Sequence, residues 1–96
     1  IRDRVHQAIY NPAYGIKAFS SPVKDKARTM LYHAIDNLAD QRAQAVILGC
    51  TEIELAIPKK RYHGVVLIHP AVVLARELIR LTNPQKLKRI NKENTC

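Results

Sequence analysis

The residues best equipped for chemistry stand at the ends of two apolar runs. Gly49-Cys50-Thr51-Glu52 follows Ala45-Val46-Ile47-Leu48, and His69-Pro70 follows Val65-Val66-Leu67-Ile68. If both runs are strands, a thiol, a hydroxyl, a carboxylate and an imidazole share one rim, because open α/β sheets bind ligands beyond the carboxyl ends of their strands. A cysteine there is a proton carrier, since helix amides and a neighbouring histidine are the groups that enrich a thiolate. Thr51, together with the amides of Thr51 and Glu52, suits a carboxylate, because helix-start amides favour anions. Gly49 lets the backbone turn sharply at little steric cost. Against this stands a plainer role for Cys50 as a small buried core residue, common for free cysteines. Both readings remain open on pattern alone.

The elements that must position this rim can be read from periodicity. Asp3 to Tyr10 carries Val5, Ala8 and Ile9 at helical spacing. Asn11-Pro12 and Gly15 interrupt it, and Ile16 to Phe19 reads as a short linker. Ser21 is the expected N-cap of a second helix, with Pro22 at its first position. To about Asp40 this helix places Ala27, Met30, Leu31, Ala34, Ile35 and Leu38 on one face. Runs 45–48 and 65–68 do not alternate, which fits strands buried on both faces of a parallel sheet. Ile53 to Ile57 fits one helical turn closed by Pro58. Residues 71–81 form an amphipathic helix through Val72, Val73, Ala75, Leu78, Ile79 and Leu81. From residue 83 to 96 the periodicity gives way to a basic tail, expected to be disordered.

The expected fold class is therefore α/β, a parallel sheet layered with helices. Two strands are too few for such a sheet. The chain is expected either to self-associate or, preferably, to be part of a longer protein.

Length and composition narrow the function. The chain has 96 residues, enough for one domain at most. Two cysteines, at 50 and 96, give no secreted disulfide framework, and no signal peptide is expected. No apolar run is long enough to cross a bilayer. The expected location is the cytoplasm, with no membrane partner. Sixteen Lys and Arg against eight Asp and Glu give a net charge of +8. A nucleic-acid surface is one reading of that charge. The charges fall at Lys59-Lys60-Arg61 and in the tail and otherwise alternate with acidic residues, however. The chain also has no Trp and one Phe for base stacking, which favours a solvated basic surface.

The segment Ala45-Val46-Ile47-Leu48-Gly49-Cys50-Thr51-Glu52-Ile53 resembles the second signature of the aspartate/glutamate racemase family. Val5-His6-Gln7-Ala8-Ile9-Tyr10, Gly15-Ile16 and Leu67-Ile68-His69-Pro70 with Val73-Leu74-Ala75 extend the similarity over residues 1 to about 81 or 82. The resemblance implies a carboxy-terminal portion of a two-domain, pseudo-symmetric fold that racemises a small amino-acid substrate without pyridoxal phosphate or metal. Two cysteines act there, one as thiolate base and one as thiol acid, because inversion needs a base and an acid on opposite faces of one carbon. Carried over, Cys50 is the second catalytic thiol, Thr51 holds the substrate carboxylate, and Glu52 orients the thiol or adjusts its proton affinity.

Departures from the pattern mark its limits. The first cysteine has no counterpart here, since Cys96 ends a polar tail with no strand before it. The second thiol is then expected from a missing amino-terminal half or a second copy, leaving the chain alone inactive. Glu54 stands where a proline is common, and His69 where relatives often carry Asp. His69 either modulates Cys50 or caps the helix beginning at Pro70. His6, His33 and His63 lack zinc-site spacing, and no Gly-rich phosphate loop occurs, so no metal or cofactor is expected. The competing reading is a non-enzymatic module that binds a carboxylate or a partner through the same rim.

Overall fold

The computed structural model describes residues 2–88. Helix α1 spans Arg2–Tyr10 and α2 spans Asp25–Asp40; strand β1 is Ala45–Ile47 and helix α3 is Thr51–Ala56. Strands β2 (Arg61–Tyr62) and β3 (Val65–Ile68) follow, then helix α4 (Pro70–Thr82) and a 3-10 turn at Pro84–Lys86. The chain is a mixed α/β domain with a three-stranded sheet in the order β1-β3-β2.

Helices α1 and α2 pack along each other and bury most of the predicted apolar stripe. Ala27, Leu31, Ala34 and Ile35 turn inward and Met30 is half-buried, but Leu38 is exposed. The start of α2 differs from the sequence expectation. Ser21-Pro22 is a cis peptide in a turn that bridges Ser20 to Val23, and the helix begins only at Asp25. Val23 enters the core, so the chain must complete its turn before helical hydrogen bonding begins. Asp25 in the first turn then suits the positive end of the helix dipole.

Strand β1 runs parallel to β3 with Val46 opposite Leu67, as expected, but the sheet is mixed. Strand β2, read from sequence as a basic loop, pairs antiparallel with β3. The two-residue turn between them places His63 at φ 47° and Gly64 at φ 79°. Positive φ at both positions matches the twist of flanking strands, which makes a two-residue hairpin close well. The hairpin is pinned to α2, where Tyr62 Oη donates to Asp36 and His63 Nδ1 lies 3.2 Å from the same carboxylate.

Burial on both sheet faces is not found. Leu67, Val65 and Leu48 reach the core, but Ile47 on the opposite face is 66% exposed. Helix α4 has no buried residue, and Leu74 and Leu81 are 62% and 65% exposed. Three strands and one outlying helix cannot cover both faces. This uncovered apolar face runs along β1 and α4.

Of the tail, residues 83–88 are described; Pro84–Lys86 turn back beside α4, and Arg76 donates to the Lys88 carbonyl oxygen at 2.6 Å. Residues 89–96, with Cys96, lie outside the described residues.

The core is small, so single residues matter. Ile57, immediately after α3, is fully buried, whereas its neighbour Leu55 is 56% exposed. Ile57→Ala is expected to cost about 2–5 kcal/mol through lost burial and a residual cavity. Leu55→Ala should change stability by less than about 1 kcal/mol. Urea unfolding of the two variants checks the contrast; equal losses would refute this placement of the core.

Candidate functional site

The parallel pairing of β1 and β3 brings both strand ends to one edge, as the sequence requires. Leu48 N–H donates to the Ile68 carbonyl oxygen at 2.9 Å, closing the ladder one residue before Gly49. Beyond it, Cys50 takes the N-cap position of α3, and its carbonyl oxygen accepts from Ile53 N–H at 3.0 Å. A cleft of about 280 Å³ opens there, lined by Cys50, Thr51, Glu54, Ala71 and Leu74 among others. The thiol is free and partly exposed, which sets aside the buried-core reading of Cys50.

The donors of this rim converge on one acceptor. Cys50 Sγ donates to Glu52 Oε2 at 2.9 Å, and Thr51 Oγ1 donates to the same oxygen at 3.1 Å. Lys17 Nζ reaches Glu52 Oε1 at 3.0 Å. The hydrogen bond from Cys50 and those from Lys17, the Glu52 amide and Thr51 hold the Glu52 carboxyl down at about 2. The same contact raises Lys17 above its ordinary value. A carboxylate held so low has almost no proton affinity near neutral pH. Glu52 is thus ionised there and an acceptor for the thiol hydrogen.

Sequence reasoning missed Lys17, which lies 35 residues before Glu52. The available signal was Ile16. Its side chain is fully buried, while Ile16 N–H and Lys17 N–H donate to the carbonyl oxygens of Ala8 and Ile9 at 2.9 and 3.0 Å. A residue following such an anchor faces outward, here toward the rim.

His69 does not cap α4. It stands at the N-cap position without a side-chain cap bond, because Nε2 is engaged by the Lys59 carbonyl oxygen at 2.7 Å. Glu54 Oε1 instead meets the Ala71 N–H at 3.4 Å in the first turn of α4. His69 Nδ1 lies 3.7 Å from that same oxygen. The two departures from the racemase-like pattern, Glu54 and His69, thus meet in space. Glu54 lines the Cys50 cleft, whereas His69 lines a separate groove with Lys60, Arg61 and Arg76. Gly49 has open space around a would-be Cβ and no positive φ, so the turn does not require glycine there.

Acid should loosen this cluster. The folded-state value of Glu52, about 2, lies below the ordinary 4.5. Its contribution to stability is complete above the unfolded value and is lost as pH falls from about 4.5 toward about 2. Urea midpoints between pH 6 and 2 should fall more steeply for the native chain than for Glu52→Gln. Parallel profiles would disprove the linkage.

No family model matches the chain, and no match is found among curated proteins or solved structures. Among the described residues, no helix is long and apolar enough to cross a membrane.

Proposed function

We infer that the chain supplies one half of a cofactor-independent amino-acid racemase of the aspartate/glutamate type, with Cys50 exchanging the α-proton of a small amino acid. The observation that carries this reading is the convergence of the Cys50 thiol, the Thr51 hydroxyl and the Lys17 ammonium on a single carboxylate. Glu52 fills that cradle as an internal carboxylate. A substrate carboxylate competing for Lys17 and Thr51 would bring its α-carbon beside Sγ. The α-C–H of an amino acid is a very weak acid, so fixed donors that offset the developing charge are what a thiolate base needs. Once the thiol proton has been lost to water, the thiolate takes the α-proton. The resulting thiol trades that proton with water, and returning the new one to carbon gives exchange with solvent. Inversion requires a second proton carrier on the other face, from another segment or a second copy. The uncovered apolar face of β1 and α4 supports an additional covering element. A working thiol base also needs reduced Cys50, which suits the cytoplasm.

That same uncovered face favours a second reading, a module that holds a carboxylate or partner without chemistry. Proton NMR in deuterated water separates them. Loss of the α-hydrogen signal of aspartate or glutamate of either hand, dependent on Cys50, supports proton transfer. Ligand-induced shifts at Thr51 and Lys17 without exchange would support the module instead.

A further inference from the structure

We propose that Glu54 and His69 hold one shared proton and form a second proton-carrying group in the wall of the Cys50 cleft. This deepens the proton-transfer reading above and rests on it for its role, though not for its geometry.

The assignment begins with the Lys59 carbonyl oxygen, 2.7 Å from His69 Nε2. A carbonyl only accepts, so Nε2 bears hydrogen. In a neutral imidazole Nδ1 is then a bare acceptor. His69 is only 3% exposed, and its Nδ1 finds no hydrogen-bond partner among the described residues. Glu54 Oε1, itself an acceptor on a side chain 14% exposed, lies 3.7 Å from it. Glu54 Oε1 already accepts from the Ala71 N–H, so the group left unsatisfied is the buried Nδ1, which faces a carboxylate oxygen as a second acceptor. A proton on Nδ1 turns that acceptor into a donor aimed at the carboxylate, giving imidazolium against carboxylate.

The surroundings fit a pair that is neutral overall. The groups facing it are the Lys59 carbonyl oxygen on the α3–β2 connection, the Ala71 N–H on α4, and Cys50 and Thr51 across the cleft. Lys60, Arg61 and Arg76 line the groove on the other side of His69. Glu54 alone of the pair lines the cleft that Cys50 lines. The step balances simply. As α-proton exchange, the Cys50 thiolate removes the α-proton and becomes a thiol, and the pair delivers its proton to the carbanion. The thiol then gives a proton to water and the pair takes one from water, which restores both, while inversion still needs the carrier on the other face.

The test uses the full chain labelled with ¹⁵N-histidine, the His69 resonances being assigned from their loss in His69→Gln. At pH 7 the expected spectrum shows both His69 ring nitrogens protonated, and Glu54→Gln returns Nδ1 to the bare position. A bare Nδ1 in the native chain, or identical spectra for the native chain and Glu54→Gln, would overturn the pair. α-Proton exchange is the second readout. Cys50-dependent exchange slowed at least tenfold by Glu54→Gln supports the carrier role, and unchanged exchange refutes it. If the native chain shows no exchange at all, the proton-transfer reading fails and the nitrogen spectra alone decide the pair.

Discussion

Replacing Cys50 by alanine is expected to reduce α-proton exchange of aspartate or glutamate to the uncatalysed background while leaving the chain folded. A positioned general base contributes about 10²- to 10⁴-fold to such a step, so a loss of at least 100-fold is the expected size. The fold should survive because Cys50 is only partly buried and stands at the N-cap of α3 rather than filling the core. Its side-chain hydrogen bond goes to Glu52 near the surface, where water competes for both partners and the loss is small. Cys50→Ser sharpens the test. A hydroxyl keeps a donor aimed at Glu52 but ionises far too weakly to serve as base. If position alone mattered, serine would restore activity; if thiol chemistry matters, serine fails as alanine does. Exchange at the native rate in both variants would end the proton-transfer reading. Collapse of the fold in both would return Cys50 to the core role set aside above.

How far the sequence anticipates this site follows from the range of the forces involved. The run Ala45 to Leu48 and the run Val65 to Ile68 announce strands, and parallel pairing places their ends side by side, so Cys50, Thr51 and Glu52 are local consequences of pattern. Helix α2 is legible for the same reason, except at its start, where burial of Val23 overrides the cap signal of Ser21-Pro22. Strand β2 escaped notice because two residues carry no periodicity; its signal was the His63-Gly64 turn. Lys17 and the Glu54–His69 contact are tertiary facts. They join residues 35 and 15 positions apart through the shape of intervening elements, and no local preference encodes them. The exposure of Ile47 and α4 was hidden for a converse reason. An apolar pattern reports that a face can be buried, not that anything in the same chain buries it.

The turn that delivers Lys17 offers the sharpest structural test, through Gly15→Ala. A Cβ built at Gly15 would lie 2.5 Å from Asn11 O, 2.6 Å from Asn11 N and 2.8 Å from Ile9 O. All three are backbone atoms, so no side chain can swing aside to make room. The turn must lift from the end of α1. Lifting it breaks the bonds from Gly15 N–H to Asn11 O (2.7 Å), Ile16 N–H to Ala8 O (2.9 Å) and Lys17 N–H to Ile9 O (3.0 Å). It also withdraws Ile16 from the core and Lys17 from Glu52. Overpacking and the lost turn bonds together should cost about 2–4 kcal/mol, a large share of the stability of a domain this small. Gly49→Ala is the control. Nothing lies within 4 Å of a Cβ there, and its φ is one that alanine adopts. That substitution should leave urea stability unchanged or raise it by up to about 1 kcal/mol, since alanine restricts the unfolded chain. The order expected is therefore the reverse of what proximity to Cys50 would give. Glycine at the rim is dispensable, and glycine in the distant turn is not. If Gly15→Ala unfolds at the native urea midpoint, the close approach of the turn to α1 is wrong, and the route by which Lys17 reaches Glu52 is wrong with it.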